Sequence, residues 1–110
     1  MADYRVISSD NHVVEPVDLW TSRAESKFKD RVPHVESLEE GDWWFCDTKK
    51  VPGTGFGFGG TQAGRRFEDP SKLAAADLFD NVRAGGYVPE AQVEDMDTDG
   101  VDLSILYPTV

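Results

Sequence analysis

Tyr4, Val6 and Ile7 make a short aromatic and β-branched run that gives way at once to Ser8, Ser9, Asp10, Asn11 and His12. Such a run predicts a strand whose polar end leaves the sheet. Glu15-Pro16 then opens a predicted helix: proline suits a first helical turn, Asp18 suits the positive end of the dipole, and Val17, Leu19 and Trp20 give an apolar side. A charged continuation over 23–31 ends before Pro33. Over 35–51 the period changes to short alternating segments, HVESL, DWWFCD and KKV, separated by turn residues, which predicts hairpins. The spacing of Leu73, Leu78, Phe79 and Val82 predicts a helix over 71–82, with Ser71 or Asp69 as its cap and Gly85-Gly86 beyond its end. A further helix is predicted from Pro89 to Asp99 with Gly100 as its C′ residue, followed by the strand pattern of Val101, Leu103, Ile105 and Leu106, nearly continuous enough to be buried on both faces.

The order strand, hairpins, helices, strand describes an α/β chain whose first and last strands pair in parallel. Within the first strand, residues two apart point to one side, so Asp10 and His12 converge on one point. Carboxylate oxygen and imidazole nitrogen are both ordinary ligands of divalent ions, although a catalytic zinc takes three protein ligands and this pair supplies two. Two other motifs lead nowhere. Gly55, Gly57 and Gly60 have the G-x-G-x-x-G spacing, but no buried strand precedes them and no helix opens after them, so 52–64 reads as a mobile glycine-rich loop anchored by Phe56 and Phe58, with the position of a lid. Asp95, Asp97, Asp99 and Gly100 copy the first half of a calcium loop, but Leu106 stands where the closing Glu belongs, and the acidic residues read as a solvated helix face.

Charge removes further classes. Eleven basic residues against twenty-one acidic ones give a net charge of −10, which repels phosphate backbones and argues against nucleic-acid partners. No apolar run has the length of a membrane span and the amino terminus has no hydrophobic signal region, so the expected setting is cytoplasmic. Cys46, the single cysteine, excludes an internal disulfide and reads as a small half-buried residue of the aromatic run WWFC. The aromatics of that run, Trp43, Trp44 and Phe45, are expected in a core.

The blocks ISSDNHVVEPVDLW and PEAQVEDMDTDGVDLSILYPT resemble the opening of the amidohydrolase-related metal-dependent hydrolases, the branch that includes aminocarboxymuconate-semialdehyde and γ-resorcylate decarboxylases. The resemblance implies a (β/α)8 barrel, of which 1–110 would supply the first two strands, with 34–64 as a β-hairpin and glycine-rich excursion between them: an incomplete barrel. It implies a divalent ion, zinc or manganese, held in part by Asp10 and His12. In the family that pair is often His-x-His, and a carboxylate in place of one imidazole favours harder ions. Trp20 and Tyr107 are then candidates to line the pocket for a small-molecule substrate, Tyr107 because it ends the last strand at the face where barrels keep their sites. The remaining family ligands have no counterpart, His34 included, so no catalytic residue is assigned and the chain is expected to be inactive alone. The contrasting expectation is a non-catalytic acidic module that binds a partner, or a second copy of itself, through exposed strand edges.

Overall fold

The computed structural model describes residues 3–63, 65 and 69–110, and the chain divides into two compact units. One takes the described residues of Met1–Val14 together with Arg83–Thr109; the other takes Glu15–Val82 and Val110. The architecture is mixed α/β, with one parallel and one antiparallel sheet.

In the first unit, β1 (Ile7–His12) pairs in parallel with β5 (Leu103–Tyr107), and α1 (Pro89–Asp99) precedes β5. The expected parallel pairing of first and last strands is therefore present. The strand bounds differ from expectation: the polar residues 8–12 are themselves in the strand, because Ser8, Asn11 and His12 find backbone partners opposite Ser104, Leu106 and Tyr107. Three steps along β1, from Ser8 to Asn11, match two along β5, from Ser104 to Leu106, so β1 carries one extra residue, a bulge. Asn11 Nδ2 donates to Ser104 Oγ at 2.7 Å and closes the ladder on that side.

Helix α1 follows its sequence signals closely. Pro89 stands in its first turn, and Gly100, at φ 70°, takes the left-handed position that a side chain would resist. The Gly100 amide donates to Asp97 O and the Val101 amide to Met96 O, so two of the last carbonyls are satisfied before the chain turns into β5. Strand β5 is not buried as its composition predicted: Leu103, Ile105, Leu106 and Tyr107 are all exposed. The reason is topological, since among the described residues the parallel sheet has only these two strands.

In the second unit, β2 (His34–Leu38), β3 (Gly41–Cys46) and β4 (Lys49–Lys50) form the predicted antiparallel hairpins. Along β3 the side chains alternate: Asp42 and Trp44 are buried, whereas Trp43 and Phe45 are half-buried. Trp44 is wholly enclosed and packs on Phe56, which meets Phe79 edge-on at 5.3 Å; Val82 completes the buried apolar group. Trp43 lies under the Lys50 ammonium, 4.0 Å from the ring centre. Cys46 is exposed, a correction to its expected half-burial: it is the last residue of β3, on the side of Trp44 but beyond the enclosed part of the strand.

The predicted helix over 15–31 is not formed. Its residues make isolated helical turns and a 3₁₀ turn at Ser26–Phe28. Thr21 Oγ1, Ser22 Oγ and Arg23 donate to carbonyls three or four residues back, and this local bonding competes with a continuous helix. The predicted helix over 71–82 is also absent, replaced by 3₁₀ turns at Pro70–Lys72 and Phe79–Asn81 joined by extended chain. Here the backbone finds other partners. Leu78 N–H donates to Asp77 Oδ1, Phe79 N–H to Asp42 Oδ2, Asp42 N–H to Asp77 O and Gly57 N–H to Ala75 O. Asp69 does act as a cap, accepting from the Ser71 amide and hydroxyl.

The glycine-rich stretch is packed, which corrects its reading as a mobile lid. Gly57–Thr61 forms a π-helical turn; Thr61, fully enclosed, donates from Oγ1 to Asp77 Oδ2 at 2.6 Å. That hydrogen bond first, then one from Asn81, holds the Asp77 carboxyl below its ordinary range. Phe56 is buried as expected, but Phe58 is exposed and anchors nothing. The last residue of the predicted loop, Gly64, lies outside the described residues. A Cβ on Gly57 would penetrate the Ala74 carbonyl, and one on Gly55 the Ala75 carbonyl. Gly57→Ala is therefore expected to destabilise the second unit by about 1–3 kcal/mol or more, as overpacking against immobile backbone does. Gly59→Ala, where the added carbon meets nothing, is the control. Urea midpoints of the two variants check this, and equal midpoints would contradict the packing described.

Candidate metal-ligating pair

Asp10 and His12 stand at the carboxyl end of β1, Asp10 within the bulge and His12 after it. Asp10 Oδ1 and His12 Nε2 lie 3.3 Å apart, so the two side chains do converge as alternation along a strand requires. Both are open to solvent, with side-chain exposures of 81% and 63%. His12 is opposite Tyr107 in the register, their ring centres 6.0 Å apart and tilted by 42°. The end of the strand pair is fastened beyond them: Val13 N–H donates to Tyr107 O, and Thr109 Oγ1 donates to Val13 O. Thus the three residues at this strand end, Asp10, His12 and Tyr107, share one edge of one unit. Trp20, the remaining candidate, belongs to the other unit, where its indole is partly exposed on an isolated turn.

The donor set fits a divalent ion as far as it goes. A carboxylate oxygen and an imidazole nitrogen already side by side need no rearrangement to share a cation. They are two, however, and among the described residues no group of three or more His, Cys, Asp or Glu is placed to hold one. His34 belongs to the second unit and is engaged there with Val32 and Glu36. Glu15, which the sequence offers as a helix-start residue, is buried and accepts from the Val110 amide. The acidic run of α1 remains a solvated face, with Asp95 paired to Arg83 at 2.8 Å.

Sequence reasoning passed over Asn11 and Ser104, whose side chains lock the strand pair between the two candidate ligands. The only signal for them was a polar residue on each strand where an apolar one would have been ordinary.

No protein-family model matches the chain, and neither does any curated protein sequence. Among solved structures, the fold is similar to part of an amidohydrolase from Mycobacterium avium subsp. paratuberculosis K-10, with a TM-score of 0.60 and 21% identity. The likeness covers 99% of this chain and 31% of that one, so the chain spans less than a third of the enzyme it resembles. At this identity the likeness is one of fold. No helix among the described residues is long and apolar enough to cross a membrane.

Proposed function

We propose that this chain is the amino-terminal part of a metal-dependent, amidohydrolase-like barrel enzyme, and that Asp10 and His12 are two of its metal ligands. The observation that carries the reading is the 3.3 Å approach of Asp10 Oδ1 and His12 Nε2 at the exposed end of a parallel strand, in a chain whose whole length follows the fold of an amidohydrolase. When bound, zinc or manganese would supply Lewis acidity and an activated water, or an anchor for a carboxylate. The residues of this chain would hold and orient the ion, with Tyr107 beside His12 as a wall of the substrate pocket. The finer form of the proposal is a hydrolase or a non-oxidative decarboxylase of a small aromatic or related carboxylic acid, cytoplasmic and inactive until further ligands join the pair.

With two ligands, this chain alone is expected to bind zinc or manganese weakly, and His12→Ala to remove that binding. Calorimetric titration of the chain and the variant checks it. One tightly held ion per chain after dialysis, unaffected by His12→Ala, would sink the assignment.

A second reading is favoured by a separate observation. Ile7, Leu103, Ile105 and Leu106 leave a two-stranded sheet with exposed apolar side chains, a surface suited to joining another strand or a second copy of the chain. Purified alone, the chain is expected to self-associate and to bind a hydrophobic dye. A sharp monomer on size exclusion, with no dye bound, would count against it.

A further inference from the structure

His34, which the metal site does not use, opens β2 opposite Phe45 and stacks on it, ring centres 6.2 Å apart. Its side chain is only 21% exposed. Nδ1 lies 2.9 Å from the Val32 carbonyl oxygen and Nε2 lies 3.0 Å from Glu36 Oε1. Both neighbours are acceptors: a carbonyl has no proton to give, nor has an ionised carboxylate. A neutral imidazole carries one N–H and can satisfy one of them, leaving a lone pair aimed at the other oxygen. Only the imidazolium donates to both.

The surroundings act in the same direction. His34 borders two cavities, of about 640 and 500 Å³. Into the larger face Asp30 and Lys29 from the preceding turn, Glu36 from β2 itself and Asp47 from the turn after β3. Around the smaller stand Asp18 from the turns before the hairpin, Asp42 from β3 and Asp80 from the Phe79–Asn81 turn. Asp42 is already engaged by Ser37 Oγ and the Phe79 amide, and Asp47 lies 3.9 Å from Arg31. Among the described residues lining the two cavities, Lys29 is the one basic group besides His34 itself, so the surrounding charge favours a protonated ring.

We propose that His34 is a proton-operated clasp: protonated, it ties the Val32 carbonyl to Glu36 and pins the start of β2; deprotonated at Nε2, it keeps the Val32 bond and lets the Glu36 arm swing from the cavity mouth. The His34 pKa is raised from its ordinary 6.5 by the Val32 carbonyl above all, against the opposing effect of burial, with help from the hydrogen bond and charge of Glu36 and the charge of Asp30. A pKa raised in the folded state means that the stabilisation is complete below about pH 6.5 and is lost as pH rises through the folded midpoint.

Nitrogen and carbon NMR of the imidazole across a pH series tests this on the unaltered chain, with His34→Gln identifying the resonance. Expected are a midpoint above that of a free histidine, Nδ1 protonated throughout, and loss of the proton from Nε2 alone. Glu36→Gln should move the midpoint down. Amide exchange in β2 should accelerate through the same pH interval in the unaltered chain, beyond the ordinary base-catalysed rise seen in His34→Gln. A midpoint at or below that of free histidine, loss of the proton from Nδ1, or a midpoint indifferent to Glu36→Gln would each overturn the clasp. The NMR titration of the unaltered chain decides the matter even where a variant folds poorly.

Discussion

On the proposed assignment, His12→Ala is expected to cost the full-length protein its bound metal and its turnover together, while leaving this part of the fold almost as stable as before. The asymmetry follows from position. The imidazole stands at an exposed strand end, and its neighbours are the Asp10 carboxylate and the Tyr107 ring, so its removal opens no cavity and strands no buried group. Surface changes of that kind usually stay within about 0.5 kcal/mol. Loss of a ligand is another matter: residues that merely support a metal ligand are worth about 10–100-fold in affinity or activity, and the ligand itself should exceed that. Asp10→His should retain more function than Asp10→Ala, because an imidazole restores a donor. Metal content and activity measured on the same samples decide between this reading and a surface histidine beside a turn aspartate. Full turnover by His12→Ala at normal occupancy would end the assignment.

Trp44→Ala should have the largest effect on stability. Trp44 is fully enclosed, on the inner side of β3, and through Phe56 and Phe79 it ties the hairpins to the glycine turn and to the 79–82 segment. Truncating such a side chain costs about 3–5 kcal/mol, and domains of this size have about 5–15 kcal/mol in all. Loss of cooperative unfolding in the second unit is the expected outcome, followed by far-ultraviolet dichroism against urea. Trp44→Phe should cost less than Trp44→Ala, since a ring is kept. It also removes the indole Nε1, which is buried without a hydrogen-bond partner among the described residues. Trp20→Ala, on an exposed turn, should change the midpoint little. A Trp44→Ala midpoint equal to that of Trp20→Ala would show that the aromatic group is not the core.

What the sequence revealed and what it hid divide along the range of the hydrogen bonds. The hairpins were legible because alternation, the Glu39-Glu40 turn and the Asp47-Thr48 turn are all local, and Asp47 at φ 58° is the kind of residue that tolerates the turn. Helix α1 was legible because Pro89 and Gly100 mark its ends. The stretch 71–82 was misread because Leu73, Leu78, Phe79 and Val82 stand near helical spacing, whereas backbone partners come to it from residues far away in sequence, Asp42 and Gly57 among them. Asp77 in mid-stretch was the one local warning, as a side chain that competes for backbone amides. Asp10 and His12 were legible as a converging pair because the side-chain period of a strand is short. The neighbourhood of His34 was not, since its partners meet only once β2 has left the Pro33 corner.

The extra residue between Ser8 and Asn11 works as a phase shift in the side-chain alternation. Strict alternation from Ser8 would send Asp10 and His12 to the side of Ser8; with the bulge, it is Asn11 that resumes that side, bonding to Ser104, and the two candidate ligands face the other. A regular ladder would also carry His12 one step further along, opposite Pro108 and past the end of β5 instead of opposite Tyr107. A change of length at this point therefore acts differently from a substitution: Ser9→Ala keeps the bulge and its phase, whereas removing Ser9 makes the count on the two strands equal, so that an unbulged ladder would still set Asn11 and His12 opposite Leu106 and Tyr107 with the two candidate ligands on the side away from Ser8.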